Sequence, residues 1–293
     1  MIMERKTIDA RGEVSILDYG GDGPLIVAVH GLEGSAFNWN LIGPELARTH
    51  RVVAPDLSGF GYTPPLDRGA SVEANAELVA EVIKHHGDSA LLIGNSMGGL
   101  ISVIVAEQYP DRVRGLVLID PAAPVSNWLK VRPHAAARLS TPLIPWLGSQ
   151  LIDAYRATQS PEARVSEALD FVAADADALD PQVWDDALEI AQLRSAHEYS
   201  TEVLVEAVNS IAPYVLRKAP FAAMLHRVSQ PTLLIHGTED ALIQIQTARW
   251  MARERPDWTH AFLDGIGHVP MLETPDRVLA IIDTWEQATF TRH

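Results

Sequence analysis

Two hydrophobic periods alternate along this chain. Short apolar runs occupy residues 25–29, 51–54, 90–93, 115–119, 231–235 and 260–263. Runs such as Leu25-Ile26-Val27-Ala28-Val29 are apolar at every position, as in strands covered on both faces of a parallel sheet. Residues 14–19 alternate as an earlier strand, followed by the turn Gly20-Gly21-Asp22-Gly23-Pro24. Between the runs, apolar positions recur at helical spacing over residues 37–48, 71–84, 96–108 and 246–254, and again from Asp276. In the second of these, Ser71 is the expected N-cap, with Val72, Ala76, Val79 and Ile83 on one face. Strand alternating with helix predicts an α/β fold: a mostly parallel sheet with helices on both faces.

After Asp120-Pro121 the alternation stops, and residues 123–228 carry helical patterns and prolines without a convincing strand. The expected organisation is one α/β core in two parts, residues 1–122 and 229–293, with a helical insertion at 123–228. The insertion holds Trp128, Trp146, Phe171, Trp184, Tyr199, Tyr214 and Phe221. These are expected to fill a small core of the insertion's own, or to line a pocket between it and the sheet. Asp170, Asp175, Asp177, Asp180, Asp185 and Asp186 lack the glycine and terminal glutamate of a calcium loop. They read as a solvated helical face and its connecting turn.

Composition narrows the chemistry. The 293 residues include no cysteine, which excludes a disulfide scaffold, a thiolate metal site and a cysteine nucleophile. The 23 basic and 38 acidic residues leave a net charge of −15, with no positive surplus to displace counterions from nucleic acid. The charged start Met1-Ile2-Met3-Glu4-Arg5-Lys6 opens no apolar leader, and no apolar run approaches membrane-spanning length, so a cytoplasmic protein is expected. No phosphate-binding loop and no His-Glu-x-x-His zinc motif is present. Asp56-Leu57-Ser58-Gly59-Phe60-Gly61 permits a tight turn, but Pro64 and Pro65 stand where a dinucleotide fold needs its helix. Neither cofactor nor metal is expected. Monomer and homodimer both stay open.

Gly94-Asn95-Ser96-Met97-Gly98 is a G-x-S-x-G sequence. Such a pentapeptide arises by chance in roughly one chain in fifteen, so its context decides its meaning. Here it joins a buried strand to a helix, where a sharp turn holds the serine strained and its Oγ exposed. A serine hydroxyl needs a base. Among 11 histidines, His268 lies in the flexible Gly265-Ile266-Gly267-His268-Val269-Pro270, just after the last strand. His85 and His86, beside Gly87, read as exposed residues at a helix end. Asp240, directly after the strand at 231–235, is the expected partner that fixes the imidazole tautomer, with Glu239 pointing elsewhere and Asp120 as the alternative acid. Activity is then expected to rise with pH as the imidazole loses its proton. The oxyanion donors are assigned to the backbone N–H groups of Met97 and of Leu32, in His30-Gly31-Leu32-Glu33-Gly34-Ser35, with His30 supporting that turn.

Taken together, His30-Gly31, Asp56-x-x-Gly59-x-Gly61, Gly94-x-Ser96-x-Gly98, Gly237-x-x-Asp240 and Gly267-His268 resemble the α/β-hydrolase superfamily, in the same order. The resemblance implies an eight-stranded, mostly parallel sheet, a helical cap after the sixth strand, and the triad Ser96, Asp240, His268. The elbow Gly94-Asn95-Ser96-Met97-Gly98-Gly99 is similar to that of the meta-cleavage-product C–C hydrolases. Those enzymes usually carry a Ser-Gly-Pro-Gly-like oxyanion loop and a tryptophan after the catalytic histidine. Here the loop is Leu32-Glu33-Gly34-Ser35 and Val269 follows His268. The reading is therefore a serine hydrolase of small carboxylic esters, with neutral or weakly polar substrates of modest size. C–C bond hydrolase, lactonase, thioesterase and a hydrolase-fold ligand receptor are the alternatives.

Overall fold

The computed structural model describes residues 3–124, 141–144, 147–197 and 199–290. Its strands are β1 (Glu4–Asp9), β2 (Glu13–Gly20), β3 (Leu25–Val29), β4 (Arg51–Pro55), β5 (Ala90–Asn95), β6 (Val113–Ile119), β7 (Thr232–Gly237) and β8 (Thr259–Leu263). We label the longer helices α1 (Val72–His86), α2 (Met97–Gln108), α3 (Leu147–Thr158), α4 (Pro161–Val172), α5 (Pro181–Ser195), α6 (Ser200–Leu216), α7 (Lys218–Arg227), α8 (Ile245–Glu254) and α9 (Pro275–Phe290). The strands form one sheet in the order β1-β2-β4-β3-β5-β6-β7-β8. β2 pairs antiparallel with both β1 and β4, and the other pairs are parallel.

The uninterrupted apolar runs follow from this topology, because successive side chains leave a strand on opposite faces. Val27, Val29, Leu92, Leu118 and Leu234 pack under α1, α2 and α8. Their neighbours Ile26, Ala28, Ile93, Val117 and Ile235 pack against Trp39, Ile42 and α9 on the other side. Ser71 caps α1 by accepting the Ala74 N–H.

Three sequence expectations change. β1 is hidden by its charged residues Glu4, Arg5 and Lys6. It is an edge strand with mostly exposed side chains, where charge is tolerated and discourages further pairing. Residues 37–48 are not one helix but a 3₁₀ turn, Ala36–Trp39, and a single α-turn, Gly43–Leu46. Pro44 lacks an N–H and can only start a helix, so the periodic pattern breaks there. At the end of α1, His85 is exposed but His86 is half-buried, and burial pushes its pKa down to about 4.

Helices α3 to α7 lie between β6 and β7. Three of their aromatic residues lie outside any separate core: Phe221, Tyr199 and Tyr214 join the core under α1 and α2. Leu169, Val172 and Val183 join the core on the opposite face of the sheet. Trp128 and Trp146 lie outside the described residues. Of the acidic cluster, Asp175 and Asp180 cap turns by accepting backbone N–H groups. Asp186 is half-buried and accepts from Asn40 Nδ2 at 2.7 Å. Among the described residues, no helix is long and apolar enough to cross a membrane.

The parallel register aligns Val29, Gly94 and Leu118 on neighbouring strands, and likewise Ile119 with Ile235 and Gly237 with Leu263. The carboxyl ends of β3, β5, β6, β7 and β8 therefore share one rim. Ligand sites of open α/β sheets form at such a rim.

Candidate active site

Ser96 sits between β5 and α2 with φ 55° and ψ −119°, outside the regions a side-chain-bearing residue prefers. Holding it there costs on the order of 1–3 kcal/mol. The surroundings enforce it. The Ser96 N–H donates to the Ile119 carbonyl at 3.0 Å, and its own carbonyl accepts from Leu100 and Ala122. A Cβ on Gly98 would fall 2.1 Å from the Val29 carbonyl oxygen, and one on Gly94 2.4 Å from that of Gly98. Both glycines are thus required by close backbone approach. Ser96 Oγ makes no capping bond to its helix and the residue stays partly exposed. Met97 opens α2, so its N–H has no carbonyl in the preceding turn to bond.

His268 and Asp240 are brought together. Asp240 Oδ2 lies 2.7 Å from His268 Nδ1. Asp240 Oδ1 accepts the N–H groups of Leu242 and Ile243 at 2.7 and 2.9 Å. Asp240 is buried, and Glu239 next to it is exposed. Burial pushes the Asp240 pKa up, but the charge and hydrogen bond of His268, with His236 and the Ile243 N–H, outweigh it and hold it below the ordinary value. The carboxylate thus accepts and His268 Nδ1 carries a proton, so in the neutral ring it is Nε2 that has the lone pair. The His268 N–H donates to the Val172 carbonyl of α4 at 2.7 Å. Its carbonyl accepts from Asn95 Nδ2 at 3.0 Å, which sets His268 beside the residue preceding Ser96. Asn95 carried no signal in the sequence. It stands at a variable place of the G-x-S-x-G pattern, and only the fold makes it the tie between the β5 and β8 loops.

Leu32 lies in a tight turn. The Gly31 carbonyl accepts from the Gly34 N–H at 3.1 Å and from His30 Nδ1 at 2.7 Å. His30 Nε2 accepts the Leu57 N–H at 3.0 Å, so the ring proton is on Nδ1. Burial lowers the pKa of His30 and keeps the ring neutral. A trans peptide points its carbonyl and the next N–H in opposite directions. Tethering the Gly31 carbonyl therefore turns the Leu32 N–H away from His30. The turn abuts the serine: a Cβ on Gly31 would sit 3.1 Å from Ser96 Cβ. Asp56 secures the same loop, accepting from the Ala36 and Tyr62 N–H groups and from Arg5.

Asp120, the alternative acid, is not the partner of His268. Its Oδ1 accepts the Gly237 N–H at 3.0 Å and lies 3.2 Å from His236 Nδ1. His236 Nε2 lies 2.8 Å from the Ile243 carbonyl and must donate to it, so its Nδ1 lone pair faces Asp120. Burial first, then the charge of Asp240, push the Asp120 pKa well above the ordinary value, and burial lowers that of His236. A protonated Asp120 facing a neutral imidazole leaves no charge on this buried pair, and Asp120 Oδ2 and His236 Nδ1 have no other hydrogen-bond partner among the described residues. One ligand atom from each of Asp120, His236 and Asp240 falls within 4.8 Å of the others. Asp240 and Asp120 Oδ1 already hold protein partners, while Asp120 Oδ2 and His236 Nδ1 are buried without a hydrogen bond to any described residue.

A pH dependence follows. An Asp120 protonated in the fold and ionised in the unfolded chain makes wild type lose stability as pH rises above about 4, by up to about 1.4 kcal/mol per unit. Asp120→Asn cannot lose a proton. Denaturant titrations from pH 4 to 7 are expected to show wild-type stability falling relative to the variant. Parallel curves would mean that Asp120 is ionised in the fold.

The sequence profile of the family described as "alpha/beta hydrolase fold" matches residues 24–275. The chain belongs to the α/β-hydrolase family and is a hydrolase of that fold. The 2-hydroxymuconate semialdehyde hydrolase of Pseudomonas sp. (strain CF600) is 28% identical over 290 residues, spanning 95% of this chain and 92% of that protein. The pimeloyl-[acyl-carrier protein] methyl ester esterase of Aromatoleum aromaticum is 30% identical over 263 residues, 89% of this chain and 97% of that one. Among solved structures, a thermophilic esterase from Thermogutta terrifontis superimposes with a TM-score of 0.74 at 26% identity, over 97% of this chain and 98% of that one.

Proposed function

We propose that this chain is a serine hydrolase that cleaves a small carboxylic ester through an acyl-enzyme. Its nucleophile is Ser96, His268 is the base, and Asp240 orients the imidazole. The observation that carries the reading is the buried 2.7 Å contact from Asp240 Oδ2 to His268 Nδ1, tied by Asn95 to the strained serine turn. His268 Nε2 takes the Ser96 proton as Oγ attacks the ester carbonyl carbon. The oxyanion is held by the N–H groups of Leu32 and Met97, and the positive end of α2 favours the charge. His268 then gives the proton to the leaving alcohol, and water, deprotonated by the same ring, releases the acid. In this reading residues 123–228 form a cap over the rim, and residues 1–122 and 229–293 form the catalytic core.

The relatives named above as esterases support an ester substrate. The relative from strain CF600 favours a second reading, hydrolysis of a C–C bond in a ring-fission diketone at the same Ser96. The test is a panel of nitrophenyl esters, lactones and a ring-fission diketone, beside mass spectrometry after a serine-directed phosphonate. Ester turnover with a phosphonate adduct on Ser96 is the expected result. Diketone cleavage with little ester turnover selects the second reading, and labelling of Ser96 without turnover of any panel member points to a ligand receptor.

A further inference from the structure

Glu33 follows Leu32 in the turn and adopts φ 59°, a left-handed conformation that costs a glutamate about 1–2 kcal/mol. Leu32 is not among the positive-φ residues, so the strain of this turn falls on Glu33. Glu33 is also where the inserted helices grip the core loop. Arg156 of α3 and Arg194 of α5 each reach Glu33 Oε1 at 3.3 Å. Arg194 Nη2 also donates to the Glu33 main-chain carbonyl. Arg156 is braced in turn, donating to Ser200 Oγ and Thr201 Oγ1 of α6, both at 2.8 Å. The two arginine side chains are only 14% and 18% exposed, so the contact is largely shielded from water. Two helices between β6 and β7 thus converge on one strained residue beside Leu32, with a third bracing one of the two arginines.

We propose that Glu33 is a positioning residue for the oxyanion turn, gripped by Arg156 and Arg194 so that the Leu32 N–H is aligned only when the inserted helices are seated. The proposal rests on the reading of Leu32 as an oxyanion donor. Two constraints act on the peptides either side of the Leu32-Glu33 peptide. His30 and the Gly34 N–H hold the Gly31 carbonyl from the core side. The arginines hold the Glu33 carbonyl and carboxylate from the helical side. Releasing the second constraint lets the Glu33-Gly34 peptide rotate as Glu33 relaxes toward unstrained angles, which withdraws the Gly34 N–H from the Gly31 carbonyl and carries the Leu32 N–H of that Gly31-Leu32 peptide out of line. The interaction is electrostatic, so the alignment depends on the seat of α3 and α5 and not on the identity of the substrate. The expected signature is a loss in kcat rather than in KM, because an oxyanion contact strengthens as charge develops.

The test uses Glu33→Gln, Glu33→Gly, Arg194→Met and the double variant Glu33→Gln/Arg194→Met in the full chain. Melting temperature, kcat and KM are measured on the best ester of the panel, with affinity for a trifluoromethyl ketone that forms an oxyanion on serine. Glu33→Gly is decisive, because glycine accepts the left-handed angle without strain while losing the carboxylate that both arginines hold; the bond from Arg194 to the main-chain carbonyl is removed separately by Arg194→Met. The expected result is a fall in kcat of about 10- to 100-fold in every variant, with KM within about threefold. Trifluoromethyl ketone affinity is expected to fall by a similar factor, and the double variant to be no worse than the worse single one. A purely structural role would instead lower the melting temperature of Glu33→Gln, spare Glu33→Gly, and leave kcat of folded protein unchanged. Should Glu33→Gly and Arg194→Met both keep kcat within about twofold of wild type, the proposal is overturned, while phosphonate labelling of Ser96 leaves the functional reading standing. Absence of Ser96 labelling in wild type removes both.

Discussion

Ser96→Ala is expected to lower kcat by about four orders of magnitude or more and to leave the melting temperature where it was. The size follows from removing the atom that forms the acyl bond in the proposed mechanism. The residual rate would then reflect binding and the two proposed backbone donors, which the substitution does not touch. Stability is spared because Ser96 Oγ makes no capping bond, and alanine keeps the same Cβ in the same strained backbone. Ser96→Gly separates function from fold more sharply. Glycine accepts φ 55° freely, so it is expected to be inactive and more stable than wild type by about 1 kcal/mol. Stopped assays on purified protein and a denaturant titration check the pair. Turnover of Ser96→Ala near the wild-type rate would remove Ser96 as nucleophile, and a Ser96→Gly protein weaker than wild type would assign the serine a structural duty.

The second large effect is expected from Asp240→Asn, a fall in kcat of about 10⁴-fold in a folded protein. The direction is dictated by hydrogen bonds. Oδ1 of residue 240 faces two N–H donors, from Leu242 and Ile243, so the amide of asparagine must place its oxygen there. Its NH₂ group then faces His268 Nδ1. The ring must accept at Nδ1 and carry its proton on Nε2, the tautomer that cannot take a proton from Ser96. Nitrogen NMR of the imidazole reads that change of tautomer directly, beside the kinetics. An Asp240→Asn enzyme with kcat within about tenfold of wild type would mean that another carboxylate orients His268. Asp120 is poorly placed for that duty, being engaged with Gly237 and His236.

Strand identity was legible because the central strands are apolar on both faces, a pattern that few other structures share. The serine elbow was legible because its glycines stand exactly two residues on either side of Ser96, where backbone must meet backbone. Asp240 and His268 were legible from their position just after strands of a parallel sheet. The edge strand β1 was not, since an exposed edge has no need of apolar side chains and Glu4, Arg5 and Lys6 conceal its period. The break in residues 37–48 was missed because an apolar period persists across a proline that interrupts hydrogen bonding. For the aromatic residues of the insertion, the sequence leaves open a core of their own or a pocket against the sheet, because composition cannot say against which layer a ring packs.

Local chemistry therefore determined much by itself: which segments are strands apart from the edge strand β1, that a sharp serine turn joins β5 to α2, and which histidine and aspartate follow the last strands. Those properties depend on neighbours close along the chain. The tertiary structure alone decided that Asp240 rather than Asp120 meets the imidazole, that Asn95 ties the His268 loop to the serine turn, and that arginines of two inserted helices close on Glu33. Each of these joins residues far apart in sequence. Their contacts arise from the order and register of the strands, which no local pattern of side chains encodes.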